Sequence, residues 1–247
     1  MYIPRMTKMS KKIIIFSGAG LDAPSGVQTF RGANGLWGEH KISEVCTENT
    51  WKDNFELVHK FYNERRKELK EVDSNKAHKW IKEITDKYGK ENVFNITMNV
   101  SDLQEREGVE CLHLHGKLRE MKCEGCGKIW DIGYKEWDIE KDACPGCGEA
   151  KEIKPNIVFF GDAAPMYTYL YRALEYLNNP NSVIIVIGTQ SNVVDIDSLI
   201  YRLPCYKIVC NMESNEKIDE KQYDEVFIES IEDATDKITE CLNRRGL

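Results

Sequence analysis

Ile13-Ile14-Ile15-Phe16-Ser17-Gly18-Ala19-Gly20 is the stretch that decides the fold. A short run of β-branched and aromatic residues has no polar side to turn toward water, so it reads as a strand buried on both faces. The strand is assigned to Lys12–Ser17. Glycines directly after a first strand let the backbone turn sharply and approach a pyrophosphate, whose charge the next helix N-terminus favours. Taken alone, Gly18-Ala19-Gly20 fits a plain turn as well as a cofactor loop. A glycine-rich loop continues to about His40.

Outward from that strand, apolar strands alternate with amphipathic helices. Helices are predicted over Trp51–Glu71, where Phe55, Val58, Tyr62 and Leu69 recur at helical spacing, and over Asn75–Tyr88. Strands follow at Val93–Thr97 and Cys111–Leu114. After Lys154 the alternation resumes: strand Ile157–Phe160, helix Tyr167–Leu177, strand Val183–Ile187, helix Asp195–Arg202, strands Lys207–Cys210 and Glu225–Ile228, and a closing helix Ile231–Arg244. This order indicates an α/β fold, a Rossmann-like parallel sheet with helices on both faces. Residues 1–38, 86–116 and 155–247 are assigned to that Rossmann-like domain, and 39–85 to a helical insertion. Residues 117–154, rich in cysteine and charge with little apolar periodicity, are assigned to a small zinc-ribbon module.

The bulk numbers set limits on partners. With 247 residues, one full core and a small accessory module can be buried. A net charge of −7 without any long basic run disfavours nucleic acid as the main partner. The longest apolar run, Val183–Ile187, is far too short to span a bilayer, and no signal-peptide stretch follows the basic start, so a cytoplasmic protein is expected. Nine cysteines, an odd number without a signal peptide, point to reduced thiols rather than a disulfide framework. Cys46, Cys111, Cys205, Cys210 and Cys241 are scattered and read as small buried side chains.

The other four are patterned. Cys123-x2-Cys126 and Cys144-x2-Cys147 each suit a tight knuckle, helped by Gly125, Gly127, Gly146 and Gly148. Four thiolates close a tetrahedral zinc shell with no position left for water, so the metal is expected to be structural, one per chain. A different signal is His113-Leu114-His115-Gly116 at a strand end, where open α/β sheets bind ligands. Strand alternation would put both histidines on one face. An ordinary pKa near ~6.5 suits His115 as a general base at neutral pH.

Taken together, these residues resemble the sirtuin (Sir2-type) family of NAD-dependent protein deacylases, on the desuccinylase-like bacterial branch. The run from Gly18-Ala19-Gly20-Leu21-Asp22-Ala23-Pro24-Ser25 through Thr29-Phe30-Arg31 to Trp37 looks like the signature loop. Thr97-Met98-Asn99-Val100-Ser101 falls where the family carries Thr-Gln-Asn-Ile-Asp, and Leu114-His115-Gly116 matches the catalytic His-Gly. The four cysteines match its zinc module, and Val158 to Pro165, with Phe160-Gly161-Asp162, resembles its Phe-Gly-Glu loop. Gly188-Thr189-Gln190 stands for Gly-Thr-Ser, and Asn211-Met212-Glu213 for Asn-Leu-Glu.

The resemblance implies an enzyme that consumes NAD and acylated lysine. The acyl oxygen displaces nicotinamide, and the catalytic histidine activates a ribose hydroxyl. The products are free lysine, nicotinamide and O-acyl-ADP-ribose. It implies that His115 is the base, with Asn99 placing the nicotinamide ribose and a water. Gly18, Ala19, Gly20, Asp22, Ser25, Thr29, Phe30, Arg31, Trp37, Met98, Val100, Ser101, Gly188, Thr189, Gln190, Asn211, Met212 and Glu213 would line the NAD site. Val158, Phe160 and Gly161 would meet the substrate. Tyr62 and Arg65, one helical turn apart, match a Tyr-x-x-Arg pair whose phenol and guanidinium can grip a distal acyl carboxylate.

Departures from the family cluster at the cofactor site. Met98 replaces Gln, Ser101 replaces the Asp that bonds the nicotinamide amide, Asp22 takes a small-hydroxyl position, Gln28 replaces Pro and Gln190 replaces Ser. Two other functions fit the same scaffold: an NAD glycohydrolase or ADP-ribosyltransferase, which would leave Tyr62 and Arg65 idle, and a non-catalytic sensor of NAD or ADP-ribose. Neither the protein substrate nor the oligomeric state is legible.

Overall fold

The computed structural model describes residues 11–28 and 41–246. Thr29, Phe30, Arg31 and Trp37, expected to line the cofactor site, lie outside the described residues. The strands are β1 (Ile13–Ser17), β2 (Val93–Thr97), β3 (Cys111–His113), β4 (Gly116–Cys123), β5 (Ile129–Asp131), β6 (Ile153–Ile157), β7 (Val183–Ile187), β8 (Tyr206–Asn211) and β9 (Glu225–Ile228). Six of them form one sheet in the order β3-β2-β1-β7-β8-β9, every neighbouring pair parallel.

Alternation along β1 splits the core in two. Ile13 and Ile15 pack against the Lys76–Tyr88 and Ile231–Arg244 helices through Trp80, Ile81, Ile84, Ile238 and Leu242. Ile14 and Phe16 face the other side, with Leu170 and Leu174 of the Tyr167–Leu174 helix and Ile196 and Ile200. Every residue of β1 and β7 is buried, which is why both strands read as unbroken apolar runs. Because β1 sits between β2 and β7, the chain leaves it in opposite directions across the sheet. A crevice forms at that switch point, outside the carboxyl ends of the strands.

A second, antiparallel sheet in the order β5-β4-β6 carries the cysteine module. Its own small core is Met121, Cys123, Trp137, Cys144 and Ile153. The helix Phe55–Glu71 packs against the small sheet, its Val58, Phe61, Tyr62 and Leu69 sharing a core with Leu118, Ile157 and Phe159.

Some boundaries differ from the sequence reading. The helix expected from Trp51 starts at Phe55, after a turn through residues 48–54. The strand expected at 157–160 is β6, which runs over Ile153–Ile157 and belongs to the small sheet. Residues beyond it lie along residues 46–48 instead, with Phe160 N donating to Cys46 O at 2.9 Å. The helix read to Leu177 is α-helical to Leu174 and ends in a tighter turn over Glu175–Asn178. Among the described residues no helix is long and apolar enough to cross a membrane.

Candidate active site

Two glycine turns meet at the switch point. Gly20 N donates to Gly188 O at 2.9 Å, and a β-carbon on Gly20 would stand 2.5 Å from Gly188 Cα. No side chain fits there, so the loops after β1 and β7 touch through bare backbone. Such a cradle lets phosphate-bearing ligands reach main-chain N–H groups. The β8 end joins the same corner: Asn211 Oδ1 accepts from Thr189 N at 2.9 Å, and Gly188 N donates to Cys210 O at 2.9 Å. Beyond Asn211, Met212 is exposed, and Gln190 O accepts from Asn215 Nδ2 at 3.1 Å.

On the other side of β1, Asn99 is buried and its amide donates to Gly18 O at 3.0 Å. Ser101 Oγ donates to Asp22 Oδ2 at 2.6 Å, so two of the departures from the family pattern are in fact one hydrogen-bonded pair. His78 Nε2 lies 3.1 Å from Asp22 Oδ1, and its Nδ1 accepts from Asn75 N at 3.1 Å. Asn75 caps the Lys76–Tyr88 helix and also bonds Leu21 O and Ser25 Oγ, tying the loop after β1 to that helix. Asp102, next to Ser101, points elsewhere and is held by Arg106, Arg119 and Tyr134. Burial pushes its carboxyl up, but those three bonds outweigh it and leave the pKa lowered.

Strand alternation does not reach His115, because β3 ends at His113 and a turn follows. His113 is bonded to Asn99 O at 2.8 Å and to Glu105 at 2.7 Å, a structural position. His115 Nδ1 donates to Met98 O at 3.1 Å, since a carbonyl only accepts, so Nε2 carries the lone pair. That lone pair takes the hydroxyl hydrogen of Tyr167 at 3.0 Å. Burial pushes the His115 imidazole below its usual pKa, and the bond to Met98 only partly offsets it. Tyr167 and His78 were not singled out in the sequence. Tyr167 opens a helix behind the Phe160-to-Pro165 loop, and no spacing rule ties it to position 115. The Val158 N–H donates to His115 O at 3.0 Å, which brings that loop to the histidine.

A cavity of about 660 Å³ is lined by Ala19, Asp22, Asn99, Ser101, Tyr62 and Arg65 among others. Tyr62 is 4% exposed and stacks on Phe159 with ring centroids 5.7 Å apart. Its hydroxyl is hydrogen-bonded to the Cys46 thiol, and burial holds its pKa well above the usual value. Arg65 Nε and Nη2 bond Glu68 at 2.7 and 2.6 Å. Its Nη1 is buried with no hydrogen-bond partner among the described residues.

The four cysteines converge. Their sulfurs all lie within 4.8 Å of one another, with Cys123–Cys147 and Cys126–Cys144 at 3.6 Å. Tetrahedral zinc with sulfur at about 2.3 Å spaces its ligands by roughly 3.8 Å, so the set fits one zinc ion. Each knuckle closes on a left-handed glycine: Gly127 N donates to Cys123 O at 2.8 Å and Gly148 N to Cys144 O at 2.9 Å.

The comparisons agree with this geometry. The model of the Sir2 family matches residues 18–195. A Helicobacter hepaticus protein named NAD-dependent protein deacylase is 39% identical over 94% of this chain and 98% of its own. A Campylobacter jejuni protein of the same name is 42% identical over 92% of this chain and 94% of its own. Among solved structures, a mutant Sir2 homologue in complex with ADP-ribose superposes with a TM-score of 0.82 at 28% identity, covering 95% of this chain and 92% of that one. A Sir2 homologue in complex with NAD gives 0.79 at 28% identity over 95% and 90%.

Proposed function

The chain belongs to the Sir2 family and is an NAD-dependent protein deacylase, and from that premise we propose that it prefers acyl groups ending in a carboxylate, succinyl and malonyl above acetyl. NAD is its co-substrate, and Cys123, Cys126, Cys144 and Cys147 are positioned to bind one zinc. The observation that carries the acyl preference is Arg65 Nη1, a buried donor without a partner among the described residues, in a cavity wall beside Tyr62. An unmet guanidinium N–H at a cavity wall favours an anionic oxygen, and Glu68 takes Nε and Nη2 while the buried Nη1 stays unpaired among the described residues.

NAD, when bound, supplies a ribose carbon from which nicotinamide departs. The glycine cradle of Gly18, Ala19, Gly20, Gly188 and Thr189 is read as holding its phosphates, with Ser25 beside that loop. Asn211, Met212, Glu213 and Gln190 are read as the adenosine end. Asn99 places the nicotinamide ribose, and His115 takes a hydroxyl proton at Nε2 once Tyr167 yields that lone pair. The Val158, Phe160 and Gly161 segment is read as meeting the acylated lysine. The three-part division at 39–85 and 117–154 is our reading; the zinc module has an apolar cluster of its own, while the insertion's cluster also takes in Leu103, Leu118, Ile157 and Phe159.

Arg65→Met combined with Tyr62→Phe tests the preference. The ratio of kcat/KM on matched succinyl and acetyl peptides should fall by about ten- to a hundredfold, the worth of a charge-assisted hydrogen bond. An unchanged ratio would leave the pair as a plain helix face.

A further inference from the structure

One buried carboxylate in the cavity wall has no role in the chemistry above. Asp22 is 3% exposed, and its possible ion-pair partner among the described residues is His78. That ring receives the Asn75 N–H at Nδ1, so it bears a single hydrogen, on Nε2, and offers Asp22 a hydrogen bond rather than a cation. Ser101 supplies a second neutral donor at 2.6 Å. A carboxylate withdrawn from water onto neutral donors alone is poorly compensated, and it attracts positive charge or further N–H groups to the space it faces. That space is the same cavity lined by Ala19, Asn99 and Arg65.

The co-substrate has one part that offers both positive charge and N–H groups. Phosphates are anionic, and riboses and adenine carry no charge. Only the oxidised nicotinamide ring is cationic, and only it bears a carboxamide with free N–H donors. We propose that Asp22 is the anionic contact for the nicotinamide end of NAD, held in place by Ser101 and His78. The family pattern puts the hydroxyl at position 22 and the carboxylate at position 101. Here the two groups are exchanged across one hydrogen bond, so the cavity keeps a carboxylate although Ser101 has none. The inference rests on NAD being the co-substrate and not on the acyl preference.

Equilibrium binding of NAD, NADH and ADP-ribose, with no acyl peptide present, tests it apart from the acyl preference. NADH has lost the ring charge, and ADP-ribose has no ring. Wild type should bind NAD more tightly than NADH. Asp22→Asn, folded by its melting transition, should lose about tenfold on NAD while ADP-ribose binding stays unchanged. The exchange variant, Asp22→Ser with Ser101→Asp, should recover most of that loss, whereas Ser101→Asp alone sets two carboxylates together and should bind NAD worse. Should Asp22→Asn not fold, the exchange variant and the wild-type comparison of NAD with NADH decide the matter. Equal binding of NAD and NADH by wild type overturns the proposal. So does a folded Asp22→Asn that keeps wild-type NAD affinity, or one that loses the same factor on ADP-ribose.

Discussion

His115 Nε2 and the Tyr167 hydroxyl lie 3.0 Å apart, with the hydroxyl hydrogen on the nitrogen's lone pair. This contact favours the unprotonated imidazole, in the same direction as burial. His115→Ala should therefore cut acyl removal by about 10²–10⁴-fold, the usual worth of a positioned base, with the fold and zinc content unchanged. The acid limb of the kcat/KM profile should fall below the ordinary histidine value of ~6.5. Tyr167→Phe removes a donor to the neutral ring, so that limb should move upward. Wild-type turnover in His115→Ala, or an acid limb that stays put in Tyr167→Phe, would remove these residues from the proton transfer.

Metal content gives a second test. Purified protein should hold one equivalent of zinc, measured by atomic emission, because four sulfurs meet within 4.8 Å. Cys144→Ser should lower zinc occupancy and the melting temperature together, since Cys144 also belongs to the module's buried core. Stoichiometric zinc retained in that variant would show that the site does not need its fourth thiolate.

Acid should weaken the fold through His59. This side chain is 1% exposed between the Phe55–Glu71 helix and β6, its Nε2 donating to Ile153 O at 3.1 Å. Burial lowers its pKa from 6.5 to about 4, against the small upward pull of that bond. The unfolded chain therefore binds the proton first as pH falls, and stability is lost from about 6.5 downward until about 4. The full effect is roughly 3 kcal/mol. Denaturant melts between pH 7 and 4.5 should show His59→Gln losing less stability than wild type over that window. Parallel pH dependences would assign the acid sensitivity to other groups.

Much of this was legible along the chain, and the exceptions have physical causes. β1 and β7 are buried at every position, so hydrophobic runs alone marked the parallel sheet. The cysteine knuckles were legible because metal ligands must recur at short spacing. β6 was misplaced because it contains Lys154, Pro155 and Asn156, which break the apolar signal. Lys154 is buried there because Asp162 pairs with it and Phe159 lies beneath it, contacts made outside the strand, with Ile157 O accepting from it as well. The Asp22–Ser101 bond joins loops that follow β1 and β2, and each residue alone reads only as a departure from the family pattern. Tyr167 came to His115 by the packing of a helix that its sequence could not aim.

The acyl preference is tested most directly by competition in wild-type protein. Equal concentrations of succinyl- and acetyl-lysine peptides of one sequence are mixed with limiting NAD, and the ADP-ribose esters are resolved by mass spectrometry. If a carboxylate pairs with the unmet Arg65 Nη1, O-succinyl-ADP-ribose should exceed O-acetyl-ADP-ribose by about tenfold or more. Equal amounts, or an excess of the acetyl ester, would contradict a carboxylate-binding acyl site.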